Sequence, residues 1–190
     1  FAISGKKVAA TDKGRVEKKA LTSLTNKVFA PVKPMVERHV DTFKQLGFSI
    51  NLAQPKFLEK AILSEEILSI TGTKNQNWIG IAPFAQYESK VYPLDLMQEL
   101  IDGLAENKNY KIFLFGGGER EIKLLNQLQN QHENVIVLAG KLKFKQELDV
   151  ISNLDTMLSM DSGNAHIAAM FGIKVITLWG ATHPYAGFSP

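Results

Sequence analysis

Residues 160–166, Met-Asp-Ser-Gly-Asn-Ala-His, bring a carboxylate, a hydroxyl, a glycine and an imidazole close together. They follow an apolar run, Asp155 to Met160, that reads as a strand, and they open a small-residue apolar run that reads as a helix. A polar, glycine-containing turn between a strand and a helix is where an α/β domain sets backbone N–H groups against an anion. The next strand, Lys174 to Trp179, runs into a second polar turn, Gly180-Ala181-Thr182-His183-Pro184. Two such turns after successive strands predict one pocket for a phosphorylated ligand.

Each residue also has a plainer reading. Asp161 or Ser162 could cap the helix, which is worth about 0.5–2 kcal/mol. A functional site needs the same turn with its helix N-terminus open, so that free N–H groups and the helix dipole attract phosphate. Gly163 would then let a ligand approach the backbone. His166 lies one turn into the helix, and its ring can lean back toward the turn. It is either a hydrogen-bond donor to a phosphate or a packed structural histidine. Gly116-Gly117-Gly118-Glu119 ends another strand. It is not the G-x-G-x-x-G fingerprint, but Glu119 could accept hydrogen bonds from ribose hydroxyls. Lys90, after the strand ending at Ala82-Pro83, could reach a diphosphate as a mobile point charge; the alternative is a surface lysine. There is no Asp-x-Asp pair and no His/Glu cluster with metal spacing. A departing diphosphate would therefore be met by a helix N-terminus, a lysine or a histidine rather than a protein-held metal. Ser162 lacks a G-x-S-x-G elbow, which disfavours a serine hydrolase.

These turns need a scaffold. Residues 78–180 alternate strand and helix. Strands are expected at Trp78–Ala82, Lys111–Phe115, Val135–Leu138, Asp155–Met160 and Lys174–Trp179. Between them run helices carrying Leu94, Met97, Leu100, Ile101 and Leu104; then Ile122, Leu125 and Leu128; then Phe144, Leu148 and Ile151. Apolar rather than alternating strands point to a parallel sheet covered on both faces. Right-handed crossovers make it a Rossmann-like, doubly wound α/β domain. Residues 1–48 read differently. Phe1–Ile3 and Lys7–Ala10 are weak strand signals, and Val36–Leu46 is a helix with Val36, Val40 and Phe43 on one face. This piece is expected to be the tail of a preceding domain, with residues 49–77 as the connection, holding a short helix near Ser64–Ile70, and 78–190 as the Rossmann-like domain.

Composition narrows the class further. The chain has 190 residues, 45% of them hydrophobic, which is enough for a real core. A net charge of +3 with scattered lysines gives no footprint for nucleic acid. The densest basic stretch, Lys6–Lys27, could meet an anionic substrate or membrane surface, or be a solvated face. The absence of cysteine excludes a disulfide framework and a thiolate nucleophile in this chain, and fits a reducing compartment. No apolar run reaches the length of a membrane span. Starting at Phe1 and ending at Gly187-Phe188-Ser189-Pro190 with no closing helix, the chain reads as a fragment cut at both ends.

Taken together these residues resemble the bacterial heptosyltransferases, glycosyltransferase family 9, which build the lipopolysaccharide core from ADP-heptose. The matching pieces are the Lys90 turn, Gly-Gly-Gly-Glu ending at Glu119, Asp161-Ser162-Gly163 with His166, and Gly180-Ala181-Thr182 before Pro184. Val36-Glu37-Arg38 and Leu46-Gly47-Phe48 match the end of the family's N-terminal domain. The resemblance implies a GT-B architecture of two Rossmann-like domains, of which 78–190 is the donor-binding domain, truncated at its C-terminal end. It implies that Lys90 contacts the donor diphosphate and stabilises the leaving group, and that Glu119 holds the ribose. Leu142 falls where the family packs an apolar side chain on adenine. Asp161, Ser162, Gly163 and His166 line the diphosphate and sugar end, and Thr182 joins them through its matching turn. The family's general base is an aspartate near the start of the N-terminal domain, and no residue here matches it.

The implied reaction is metal-independent, inverting transfer of heptose to a lipopolysaccharide precursor. No cofactor is expected, ADP-heptose being a substrate. Its place would be the cytoplasmic face of the inner membrane, with peripheral membrane contact. His183 stands where several members carry an acidic residue, and Trp179 replaces a smaller side chain, so the transferred sugar stays open. Two other readings remain: a GT-B transferase or epimerase using a UDP-sugar, and a nucleotide-binding module without turnover.

Overall fold

The computed structural model describes residues 6–190. The residues up to Lys56, together with His183–Ser189, form one compact unit, and Phe57–Thr182 form another.

The larger unit is a five-stranded sheet, every pair parallel: β1 (Asn77–Ala82), β2 (Tyr110–Leu114), β3 (Val135–Val137), β4 (Thr156–Met160) and β5 (Lys174–Leu178). Their spatial order is β3-β2-β1-β4-β5. Side chains of a strand alternate between faces, and here both faces find apolar cover. Ile81, Ile112, Leu114, Leu158 and Met160 pack with Met97 and Ile101 of α4 (Leu94–Ala105) and Leu125 and Leu128 of α5 (Gly118–Gln129). Their neighbours Trp78, Ala82, Phe113 and Met157 join a second group. That group includes Ile67 of α3 (Glu65–Thr71), Val150 and Ile151 of α6 (Phe144–Ile151), and Ala168 of α7 (Gly163–Met170). This two-sided burial is why the strands read as continuous apolar runs, and it makes the unit the expected doubly wound α/β domain. Local chemistry sets the helix starts: Ser64 Oγ accepts the Ile67 N–H at 3.4 Å at the head of α3. At the head of α6, the Gln146 side chain accepts the Lys143 N–H at 2.8 Å.

The chain winds β1-α4-β2-α5-β3 to one side of β1. It then crosses back through α6, so that β4 lies on the other side of β1. Strand order therefore reverses between β1 and β4, the place at which sheets of this kind bind their ligands, outside the carboxyl ends of the strands.

The smaller unit holds α1 (Arg15–Leu21) and α2 (Met35–Gln45). The apolar periodicity of α2 is not its buried face: Val36 and Phe43 are exposed, while Arg38 is 4% exposed. Arg38 Nη1 donates to Asp12 Oδ2 at 2.9 Å and its Nε to the Lys33 carbonyl at 3.0 Å, and Nη2 pairs with Glu17. A guanidinium satisfied on three sides can be buried where a lone charge cannot. Lys7–Ala10 forms no strand, and Phe1–Ile3 lies outside the described residues. Phe144, expected on a buried helix face, is exposed, because it is the first residue of α6 and the helix turns only its later residues onto the sheet.

Candidate functional site

In a parallel sheet all carboxyl ends lie along one edge, and each sequence-derived candidate follows such an end. Lys90 follows β1, Glu119 follows β2, Leu142 follows β3, Asp161 follows β4 and Thr182 follows β5. Ser162, Gly163 and His166 belong to the first turns of α7.

Three of them are bonded directly. Lys90 closes a single 3-10 turn, Glu88–Lys90, and its Nζ donates to Asp161 Oδ2 at 2.8 Å. Thr182 Oγ1 donates to the same oxygen at 2.9 Å. Lys90 and Asp161 come from β1 and β4, the adjacent strands where the order reverses. Their side chains are 24% and 10% exposed, so the pair is neither fully solvated nor fully buried. Asp161 Oδ1 has no hydrogen-bond partner among the described residues, both bonds falling on Oδ2.

Neither Asp161 nor Ser162 caps α7. Ser162 is the N-cap residue in extended conformation, and no side chain accepts from the first turn. The Ser162 hydroxyl instead lies 2.9 Å from the Ser159 hydroxyl, and Ser159 donates to the Met160 carbonyl. The helix thus keeps the free N–H groups that an anion would use. Space beside Gly163 is open, since nothing stands within 4 Å of where a Cβ would be. His166 is exposed on α7.

Glu119 and Leu142 stand apart from this cluster, beyond β1 on the β2 and β3 side. Glu119 is exposed and makes no hydrogen bond among the described residues. It is the second residue of α5, after Gly118, whose φ of +76° suits glycine. Leu142 is half-buried and packs on the second core group, so it has a structural job whatever else it touches. His183 belongs to the smaller unit. Its Nδ1 accepts the Tyr185 N–H at 3.1 Å, and its ring packs 5.1 Å from Phe29. Among the described residues no three His, Asp or Glu side chains gather as a metal site requires.

Two features escaped the sequence reading. A cavity of about 320 Å³ opens between the β1 loop and α5, lined by Phe84, Tyr92, Leu94 and Leu124 with Glu88 and Arg120. Glu88 and Arg120 pair across it at 2.6 Å, and the Arg120 hydrogen bond holds the Glu88 carboxyl below its ordinary range. The second feature is Gly180, which looks like any turn glycine in sequence. A Cβ there would stand 2.6 Å from the Ser89 carbonyl oxygen.

Comparison with known proteins adds an independent line. Glycosyltransferase family 9 (heptosyltransferase) matches residues 1–186. Lipopolysaccharide heptosyltransferase 1 of Campylobacter coli is 29% identical over 157 residues, covering 80% of this chain and 44% of that protein. Lipopolysaccharide heptosyltransferase 3 of Escherichia coli is 30% identical over 110 residues, covering 56% of this chain and 32% of the relative. The chain thus spans less than half the length of these curated relatives. Among solved structures, E. coli heptosyltransferase WaaC with ADP-2-deoxy-2-fluoro heptose superposes with a TM-score of 0.63 at 25% identity, over 85% of this chain and 50% of that one. With the family model matched over residues 1–186, the chain belongs to glycosyltransferase family 9, the heptosyltransferases.

Proposed function

We propose that this chain carries the donor half of a heptosyltransferase that moves heptose from ADP-heptose to a lipopolysaccharide core precursor. The observation that carries the reading is the Lys90–Asp161–Thr182 cluster beside the uncapped N-terminus of α7, at the point where strand order reverses. WaaC, solved with ADP and with a fluoro-heptose analogue, supports the choice of ligand. The names of the curated relatives support the acceptor class.

In this reading the diphosphate lies against the first N–H groups of α7, with Lys90 as its cation. An acceptor hydroxyl attacks the anomeric carbon from the face opposite the diphosphate. The bond from that carbon to the β-phosphate oxygen breaks, and ADP leaves. The acceptor proton goes to a base that no residue of this chain matches. Negative charge grows on the leaving diphosphate, so fixed N–H dipoles and a lysine act most strongly in the transition state. That provision needs no metal. Ser162, Gly163 and His166 line the diphosphate and sugar end, Asp161 Oδ1 takes a sugar hydroxyl, Glu119 takes the ribose hydroxyls, and Leu142 lies against adenine. The acceptor is amphiphilic, and the exposed basic segment Lys6–Lys27 supports a reaction at the anionic, cytoplasmic face of the inner membrane. No helix among the described residues is long and apolar enough to cross that membrane.

Calorimetric titration with ADP, UDP and ADP-heptose tests the reading. ADP binding tighter than UDP, and tighter again with the heptose attached, is expected. A preference for UDP would move the protein to another sugar nucleotide, and no binding to any of the three would overturn the donor site.

A further inference from the structure

The turn after β5 touches the Lys90 turn and the Asp161 carboxylate at once. Gly180 lies against the backbone of Ser89 and Lys90: a Cβ would stand 2.6 Å from the Ser89 oxygen and 2.9 Å from Lys90 Cα. The requirement is for space, not for a special dihedral, because Gly180 does not sit in the left-handed region. The next residue, Ala181, donates its N–H to the same Ser89 oxygen at 2.8 Å. The residue after that, Thr182, puts its hydroxyl proton on Asp161 Oδ2 at 2.9 Å. Three consecutive residues therefore fix the backbone that carries Lys90 and the carboxylate that Lys90 meets.

We propose that Gly180-Ala181-Thr182 is the positioning element of the site, and that Thr182 acts on the donor through Asp161 and Lys90 rather than by touching it. Two donors on one carboxylate oxygen hold the group in a single rotamer. The lysine is a flexible four-carbon stem with little geometry of its own. Its direction is borrowed from Asp161, whose direction is borrowed in turn from Thr182. The glycine sets the distance: any side chain at 180 pushes the β1 and β5 turns apart and draws Ala181 and Thr182 away from their partners. The β1 and β5 turns thus act as one body although their strands are separated by β4. This rests on the donor reading above, since it assigns Thr182 a task only if Lys90 meets a diphosphate.

The test is a double-mutant cycle on ADP affinity, with adenosine as a control that lacks the diphosphate. Thr182→Val removes the hydroxyl at nearly constant volume and is expected to weaken ADP about fivefold to tenfold, less than the full loss of a charge-assisted hydrogen bond because the broken bond lies within the protein and reaches ADP only through Lys90. Thr182→Ser is expected to recover most of that. In a Lys90→Ala background the valine is expected to cost almost nothing further, because the residue it positions is gone. Adenosine affinity stays level throughout. Gly180→Ala is expected to mimic Thr182→Val, in the same Lys90-dependent way. An undiminished valine penalty in the Lys90→Ala background would overturn the proposal, as would ADP affinity that depends on Lys90 but ignores Thr182. If Lys90→Ala itself leaves ADP binding unchanged, the donor reading falls, and the positioning role with it.

Discussion

Lys90→Ala is the sharpest perturbation of the site, because two effects add. On the proposed donor reading, the variant removes a cation from the diphosphate and leaves the Asp161 carboxylate beside it with only the Thr182 hydroxyl as partner. Unit charges 4 Å apart interact by about 1 kcal/mol in water and about 4 kcal/mol at the effective dielectric of a protein surface. With Lys90 24% exposed and Asp161 10% exposed, the site lies between these limits. Losing the lysine's attraction is expected to cost about 2 kcal/mol, or about thirtyfold in ADP affinity. The bared carboxylate should add about threefold more through repulsion. Lys90→Ala/Asp161→Asn removes that repulsion, so the double variant should bind ADP more tightly than the single one. Folding stability should fall by about 1 kcal/mol in the single variant, as for a partly exposed ion pair. Calorimetry at two ionic strengths reads the binding, and the gap between wild type and Lys90→Ala should narrow at high salt. The reasoning is refuted if Lys90→Ala binds ADP like the wild type, or if adding Asp161→Asn makes it worse.

Two further predictions concern stability. Burial opposes ionisation of Asp155, but hydrogen bonds from Lys74 and the Trp78 N–H, with the charges of Lys74 and Lys60, outweigh it and hold its carboxyl below the ordinary range. A depressed folded value means stabilisation that is full above the ordinary aspartate value of 3.8 and is lost as pH falls from there through the folded value. Asp155→Asn should therefore destabilise the fold at neutral pH by about 1 kcal/mol, as for a half-exposed group, read as a lower melting temperature. The difference should vanish in acid; one that persisted there would remove the charge from the explanation. Arg38→Ala should weaken the α1–α2 packing by about 2 kcal/mol, since its carboxylate partners are solvated and are not left orphaned when it goes. Amide hydrogen exchange in α1 and α2 should quicken about thirtyfold, and unchanged exchange would show that Arg38 does not pin them.

Much of the fold is legible in the sequence because its causes are local. Apolar runs of strand length, helical spacing in Leu94–Leu104 and Ile122–Leu128, and glycine or polar turns between them mark all five strands of the sheet. The same turns place Lys90, Glu119, Asp161 and Thr182 at strand ends, and their types alone suggest phosphate and hydroxyl recognition. Failures occur where periodicity and burial part company. Val36, Val40 and Phe43 make an apolar stripe on α2, yet Arg38 is the buried residue, because Asp12 and Glu17 of the same unit neutralise it.

What only the tertiary structure decides is which ends become neighbours. Strand order is set by long-range packing and the direction of each crossover, so nothing within Lys90 or Asp161 says that β1 and β4 are adjacent. That adjacency brings Lys90 onto a carboxylate 71 positions away. It also turns Gly180 from an ordinary turn glycine into the contact that lets Thr182 reach the same oxygen. By itself the sequence specified the chemistry available and the edge of the sheet where it would lie. The packing decided that Lys90, Asp161 and Thr182 form one bonded cluster, while Glu119 and Leu142 lie apart from it, beyond β1 on the β2 and β3 side.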